Sequence, residues 1–145
     1  TMEIRIKRVD STLPLPEYKT KGAVAFDLYS RTNEVIPPRS LKLIPANFII
    51  GTPDGYMLML AARSSLASKK GLMMGNGIGT IDQDYCGEED ELKLNLYNFT
   101  DTAVAIEKGE RLAQGIFVKI EKGNWNEVEK MSDESRGGFG TTGQF

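Results

Sequence analysis

Short stretches in which apolar and charged residues alternate, each closed by a turn signal, recur along the chain, and few folds accommodate them. Ile4-Arg5-Ile6-Lys7-Arg8-Val9 has the alternation of a half-exposed strand. Leu41-Lys42-Leu43-Ile44 and Ala46 to Ile50 follow Pro37-Pro38, and Thr52-Pro53-Asp54-Gly55 supplies a turn. Tyr56 to Ala62 is an unbroken apolar run, which predicts a buried strand. Leu92 to Tyr97 alternates again, and Leu112 to Ile120 does so in outline. Strands at this spacing predict an all-β sandwich or barrel. One segment reads as helix: Ser64 or Ser65 can cap it, Leu66 to Lys70 can form it and Gly71 can end it. From Gly123 onward the apolar pattern fades, and residues 136–145 are rich in glycine. Such an end buries too little apolar surface to offset the entropy of ordering itself.

The 145 residues suit one domain with an adequate core, and 40% hydrophobic against 26% charged is an ordinary globular balance. A net charge of −2 and a pI near 5.3 give no overall basic field, so no nucleic-acid partner is expected and any phosphate binding must be local. The first thirty residues mix charge with apolar character, so no signal peptide is expected. No apolar run approaches the ~20 residues of a membrane helix. A cytoplasmic location away from membranes is therefore the expectation. Thr1 before Met2 reads as a cloning remnant.

Two absences narrow the chemistry. Without histidine there is no Ser-His-Asp or Cys-His machinery, no histidine base and no histidine-bound zinc. With Cys86 as the single cysteine there is no intrachain disulfide and no multi-cysteine metal site. Carboxylate chemistry remains, paired with a hard oxygen-bound cation such as Mg²⁺.

Five stretches, in this order, resemble the motifs of the trimeric dUTPase family: Ala25 to Ser30, Ala62 to Ala67, Gly75 to Gly87, Gly109 to Gln114, and Arg136 to Gly143. The resemblance covers nearly the whole chain. It implies a jelly-roll β-barrel subunit with one short helix and a flexible glycine-rich C-terminal arm. It further implies a homotrimer with shared active sites, and Mg²⁺-assisted hydrolysis of dUTP to dUMP and pyrophosphate. On this reading residues 1–131 form the barrel domain, and residues 132–145 form an arm that closes over an active site.

The resemblance also assigns roles, each with a plainer alternative. Asp82 is the general base that deprotonates a water attacking the α-phosphate; otherwise it is a turn aspartate bonded to its own backbone. Tyr85 lies against the deoxyribose and leaves no room for a 2′-hydroxyl; otherwise it is a core aromatic. Asn76, with the backbone at Thr80 and Ile81, reads uracil and excludes the thymine methyl. Arg63, Ser64 and Ser65 meet phosphate at the start of the short helix, where simple capping is the alternative. Gln114 bonds the phosphates, Arg111 is an interface arginine, and Asp27 faces the metal through water. In the arm, Phe139 stacks on uracil, Arg136 meets the terminal phosphate, and Gly140 and Thr141 add backbone N–H donors.

The chain departs from the family pattern in three places. Ser65 stands where glycine is usual, Arg136 precedes Phe139 by three residues instead of five, and Glu88-Glu89-Asp90 is an insertion after Gly87. Two rival readings stay open. A dCTP deaminase of the same fold would need a catalytic glutamate where Asn95 stands. A non-catalytic nucleotide-binding regulator would use the same scaffold without the reaction.

Overall fold

Alternating side chains become strands here because each strand buries one face and leaves the other to solvent or a neighbour. The computed structural model of the chain describes residues 2–141, 143 and 144. The reading of Thr1 as a remnant, and Thr142 of the fifth stretch, lie outside the described residues. The strands are β1 (Arg5–Arg8), β2 (Phe26–Tyr29), β3 (Glu34–Ile36), β4 (Leu41–Pro45), β5 (Phe48–Gly51) and β6 (Tyr56–Ala62). The short helix, Leu66–Lys70, follows β6. After it come β7 (Leu72–Met74), β8 (Gly79–Ile81), β9 (Lys93–Asn98), β10 (Val104–Ile106) and β11 (Arg111–Lys119). The chain is all-β, as expected.

The described strands pair antiparallel in four sheets: β2-β11-β6-β8, β4-β9-β7, β1-β5 and β10-β3. Leu28, Leu58 and Leu60 from the first sheet and Ile44, Leu94, Leu96 and Leu72 from the second are fully buried or nearly so and belong to one hydrophobic cluster. Burial of this kind is worth about 1.5–3 kcal/mol per large side chain. Tyr56–Ala62 departs from its expected burial on both faces: Leu58 and Leu60 are buried, whereas Met57, Met59 and Ala61 are half-exposed. The sequence there is apolar on both faces, but only one face meets this chain's core.

The helix also differs from expectation at its start. It is a single wide π-type turn, and Ser65 at its N-cap makes no side-chain capping bond. Its end is as read: Gly71 is left-handed at φ 69° and donates its N–H to Ala67 O. Side-chain capping fails because the Ser65 backbone already lies near helical angles, φ −97° and ψ −2°, not the extended angles a cap requires.

Beyond β11 the chain leaves the body. The Ile120 N–H bond to Gly55 O is the last described hydrogen bond to the body, and residues 121–137 are all exposed. Among the described residues, those after Ile120 bond only with one another, around Gly138 and Thr141.

Candidate active site

A bulge in β11 decides which side chains share a face. Arg111 pairs with Tyr29 and Ala113 with Leu28, so Leu112 is the extra residue. In a regular strand Arg111 and Gln114, three apart, would point to opposite faces. The bulge removes one step and puts them on the same face, opposite Tyr29 and Asp27 respectively. Leu112 and Ala113 are consecutively buried as a result.

Asp27 stands at the centre of this face. Arg63 Nε lies 3.2 Å from Asp27 Oδ1, and Arg111 Nη1 lies 3.1 Å from Asp27 Oδ2. Arg63 Nη1 also donates to Arg111 O at 3.4 Å. Gln114, beside Asp27 in the β2–β11 register, donates Nε2 to Ala62 O at 3.0 Å. An amide nitrogen carries two N–H groups, so one remains for a ligand. Arg63, Ser65, Lys69, Lys70 and Arg111 border a cleft of ≈ 490 Å³ next to this cluster, a local basic surface on an acidic chain. Glu110 moderates it. Burial pushes its carboxyl up, but hydrogen bonds from Lys70 and from the Glu107 N–H outweigh burial and hold it below its ordinary value.

The third stretch builds a separate feature. Leu72–Met74 pairs with β9 in one sheet and Gly79–Ile81 pairs with β6 in the other, so residues 75–78 cross between sheets. Gly77 N–H to Met74 O at 3.0 Å and Ile78 N–H to Asn76 O at 2.9 Å form the tight turn, with Gly77 at φ 75°. Asn76 is exposed at its tip. β8 is the outer strand of its sheet, so backbone groups of Thr80 and Ile81 on the side away from β6 are free to meet a ligand. Asp82 follows, exposed, beside a pocket of ≈ 320 Å³ that Tyr56, Met57, Gln83 and Lys122 also line. Asp82 O accepts the Tyr85 N–H at 3.2 Å, and Gln83 Nε2 donates to Tyr56 O at 2.9 Å. Tyr85 is half-buried against the core, with its hydroxyl on Glu91 O at 3.1 Å.

Asp82 and the Asp27 cluster do not meet within one chain. Ile81 pairs with Leu58, which puts Asp82 level with Met57, whereas Arg63 follows Ala62 at the other end of β6. The six residue steps from Met57 to Arg63 span roughly 20 Å along a strand. Asp27, Arg63, Arg111 and Gln114 thus gather at the Ala62 end of β6; along the edge strand β8 the Asn76 turn lies towards that same end, Thr80 and Ile81 lie level with Met59 and Leu58, and Asp82 lies at the Tyr56 end. Ser64 is exposed at the start of the helix, and its neighbour Ser65 has an uncapped hydroxyl. Arg136, Phe139, Gly140 and Thr141 lie on the exposed arm, apart from both groups, with Phe139 fully exposed and at φ 51°.

Residue-level reading missed the supports: Arg111 on Asp27, and Glu91 behind Tyr85. A signal for the first was present, since Glu110-Arg111 opens the stretch that ends in Gln114. Glu91, by contrast, looks like the last member of an acidic run.

The family model described as dUTPase matches residues 11–143. A deoxyuridine 5'-triphosphate nucleotidohydrolase from Nautilia profundicola is 39% identical over 145 residues, covering 99% of this chain and 100% of the relative. One from Hydrogenobaculum sp. is 40% identical, covering 98% of this chain and 99% of the relative. The Staphylococcus bacteriophage 80alpha dUTPase, solved with dUPNHPP, superposes with a TM-score of 0.87 at 26% identity, covering 99% of each chain.

Proposed function

The chain belongs to the dUTPase family, and from that premise we propose that it hydrolyses dUTP to dUMP and pyrophosphate by water attack on the α-phosphate with Asp82 as general base. The match over residues 11–143 carries the reading. The dUPNHPP bound by the phage enzyme supports dUTP as the substrate. Asn95 on β9 argues against deamination, because an amide cannot shuttle the proton.

Asp82 has the exposure a base needs to reach a water, and the turn that follows it is anchored by Gln83 and Tyr85. The water oxygen forms the new bond to the α-phosphorus as its proton passes to Asp82. The bond from the α-phosphorus to the bridging oxygen breaks, and pyrophosphate leaves. Arg63, Ser64, Ser65 and Gln114 offer donors to phosphate oxygens where charge develops. Asn76 with the edge-strand backbone at Thr80 and Ile81 reads uracil, and Tyr85 excludes a 2′-hydroxyl. Arg136, Phe139, Gly140 and Thr141 close over the nucleotide as residues 132–145 fold down, completing the clamp.

Mg²⁺ fits as a substrate-borne ion. Among the described residues no group of three acidic, histidine or cysteine side chains could cage a metal, and both Asp27 oxygens already hold arginines. Mg²⁺ retains water and prefers substrate phosphates, so Asp27 would face it through water. When bound, the ion neutralises triphosphate charge.

The separation of Asp82 from Asp27 and Arg63 along β6 supports a site completed by another copy, and the resemblance to the trimeric dUTPases makes that assembly a homotrimer. The test offers each nucleoside triphosphate with Mg²⁺ and measures pyrophosphate and ammonia separately. dUTP should release pyrophosphate and no ammonia, and Asp82→Asn should lower that rate by roughly 10²–10⁴-fold while analogue binding persists. Ammonia from dCTP, or Asp82→Asn turning over within a few-fold of the parent, overturns the reading.

A further inference from the structure

Glu91 is buried next to β9, and no step above uses it. Its carboxylate accepts Arg31 Nε at 2.7 Å, Arg31 Nη2 at 3.1 Å and the Asn47 N–H at 2.9 Å. The paired carboxylate in turn raises the Arg31 guanidinium above its ordinary value, against the effect of burial. Asn47 is itself fixed, with its amide bonded to Tyr29 Oη and Asp10 O. The next residue is pinned as well: Leu92 N–H donates to Phe48 O at 2.8 Å, and that N–H shares a rigid peptide plane with the Glu91 carbonyl. The carbonyl so held accepts the Tyr85 hydroxyl at 3.1 Å.

The loop between the two residues closes on itself. Asp90 N–H donates to Gly87 O at 3.0 Å, and Gly87 N–H donates to Asp90 Oδ2 at 2.8 Å. Lys7 ties down Glu88 at 2.6 Å. The three acidic residues preceding Glu91 therefore form a compact turn that leaves the Tyr85–Glu91 contact intact.

A ring can exclude a hydroxyl only if it cannot swing aside. Tyr85 is attached at its Cβ, about which the ring would turn, and the phenol end is the point where a restraint has most leverage. We infer that Glu91 is a positioning residue that holds the Tyr85 phenol and thereby sets discrimination between deoxyribo- and ribonucleoside triphosphates. The inference rests on the reading of Tyr85 as the residue facing the sugar.

Its test is the ratio of kcat/KM for dUTP to that for UTP, a quantity independent of the fraction of protein folded. Tyr85→Phe removes only the hydroxyl, and the ratio should fall about three- to tenfold, the worth of one net hydrogen bond. The fall should come chiefly from a lower KM for UTP. Glu91→Gln should move the ratio in the same direction. The double variant should be no worse than Tyr85→Phe alone, because both act through one contact. Should Glu91→Gln not fold, Tyr85→Phe decides. An unchanged ratio in Tyr85→Phe, with a collapse in Tyr85→Ala, overturns the inference while sparing the reading of Tyr85. An unchanged ratio in Tyr85→Ala overturns both, and additive effects in the double variant overturn action through Tyr85.

Discussion

Arg63 and Arg111 are held by the two oxygens of one carboxylate, Asp27, at 3.2 and 3.1 Å. A single negative charge thus keeps two guanidiniums adjacent on the face proposed to meet a triphosphate. Asp27→Asn should leave the fold nearly as stable, since half-exposed ion pairs contribute only about 0–1 kcal/mol. It should raise the Mg²⁺ concentration needed for half-maximal turnover at least several-fold. A Mg²⁺ titration checks this, and an unshifted midpoint would remove Asp27 from the metal's surroundings.

The proposed sharing of the site between copies predicts complementation. Asp82→Asn and Arg63→Ala should each be nearly inactive, yet refolding them together should restore activity, because some interfaces receive Asp82 and Arg63 from different parents. Light scattering that finds a fully active particle of 16.0 kDa would contradict the shared site.

Residues 132–145 make no described hydrogen bond to the body. Their deletion should leave the thermal midpoint unchanged within about a degree or two, since little packed surface is lost. Turnover should fall far more than nucleotide affinity, because the arm's contacts matter most as charge develops on the phosphates. Paired measurements of kcat and analogue affinity decide the point, and a full-rate truncated protein would refute the closing arm.

Gly115 sits beside Gln114 in β11, facing Phe26. A Cβ there would come within 2.6 Å of the Phe26 ring, which is buried and cannot swing into solvent. Gly115→Ala should cost about 1–3 kcal/mol by overpacking, read by chemical denaturation. Adding Phe26→Leu should recover part of it.

Stability should be level from about pH 8 to 5, because the chain has no histidine. Below that range it should fall. Asp10 is held below its ordinary 3.8 by hydrogen bonds from Lys108 and then Thr12, and Glu34 below 4.5 by Lys42 and then Thr32. Carboxylates with depressed folded values contribute stability that is fully present above the unfolded value and lost as pH falls through the folded one. Thermal midpoints should therefore begin to drop below about pH 4.5. A decline between pH 7 and 5.5 would be inconsistent with this origin.

Much of the fold is legible in local pattern. The Tyr56–Ala62 strand lies between Gly55 and Arg63 as its apolar run requires, and Gly71 ends the helix. Three-residue strands such as Glu34–Ile36, Leu72–Met74, Gly79–Ile81 and Val104–Ile106 are not legible in the sequence, because three residues cannot display a period. Of the candidate site, residue types and their order were legible, but which of them share a location was not.

The sequence alone determined the all-β class, through alternation punctuated by turns, and the restriction to carboxylate chemistry, through the absence of histidine. Tertiary structure decided that a bulge at Leu112 turns Arg111 and Gln114 to the same face, and that Asp82 and Asp27 lie far apart along β6. It also decided that a glutamate at the end of an acidic run is buried behind Tyr85. The physical reason is common to all three. Side-chain alternation is a property of neighbouring residues, whereas strand register, bulges and buried partners depend on pairing between segments distant in the chain, which no local period records.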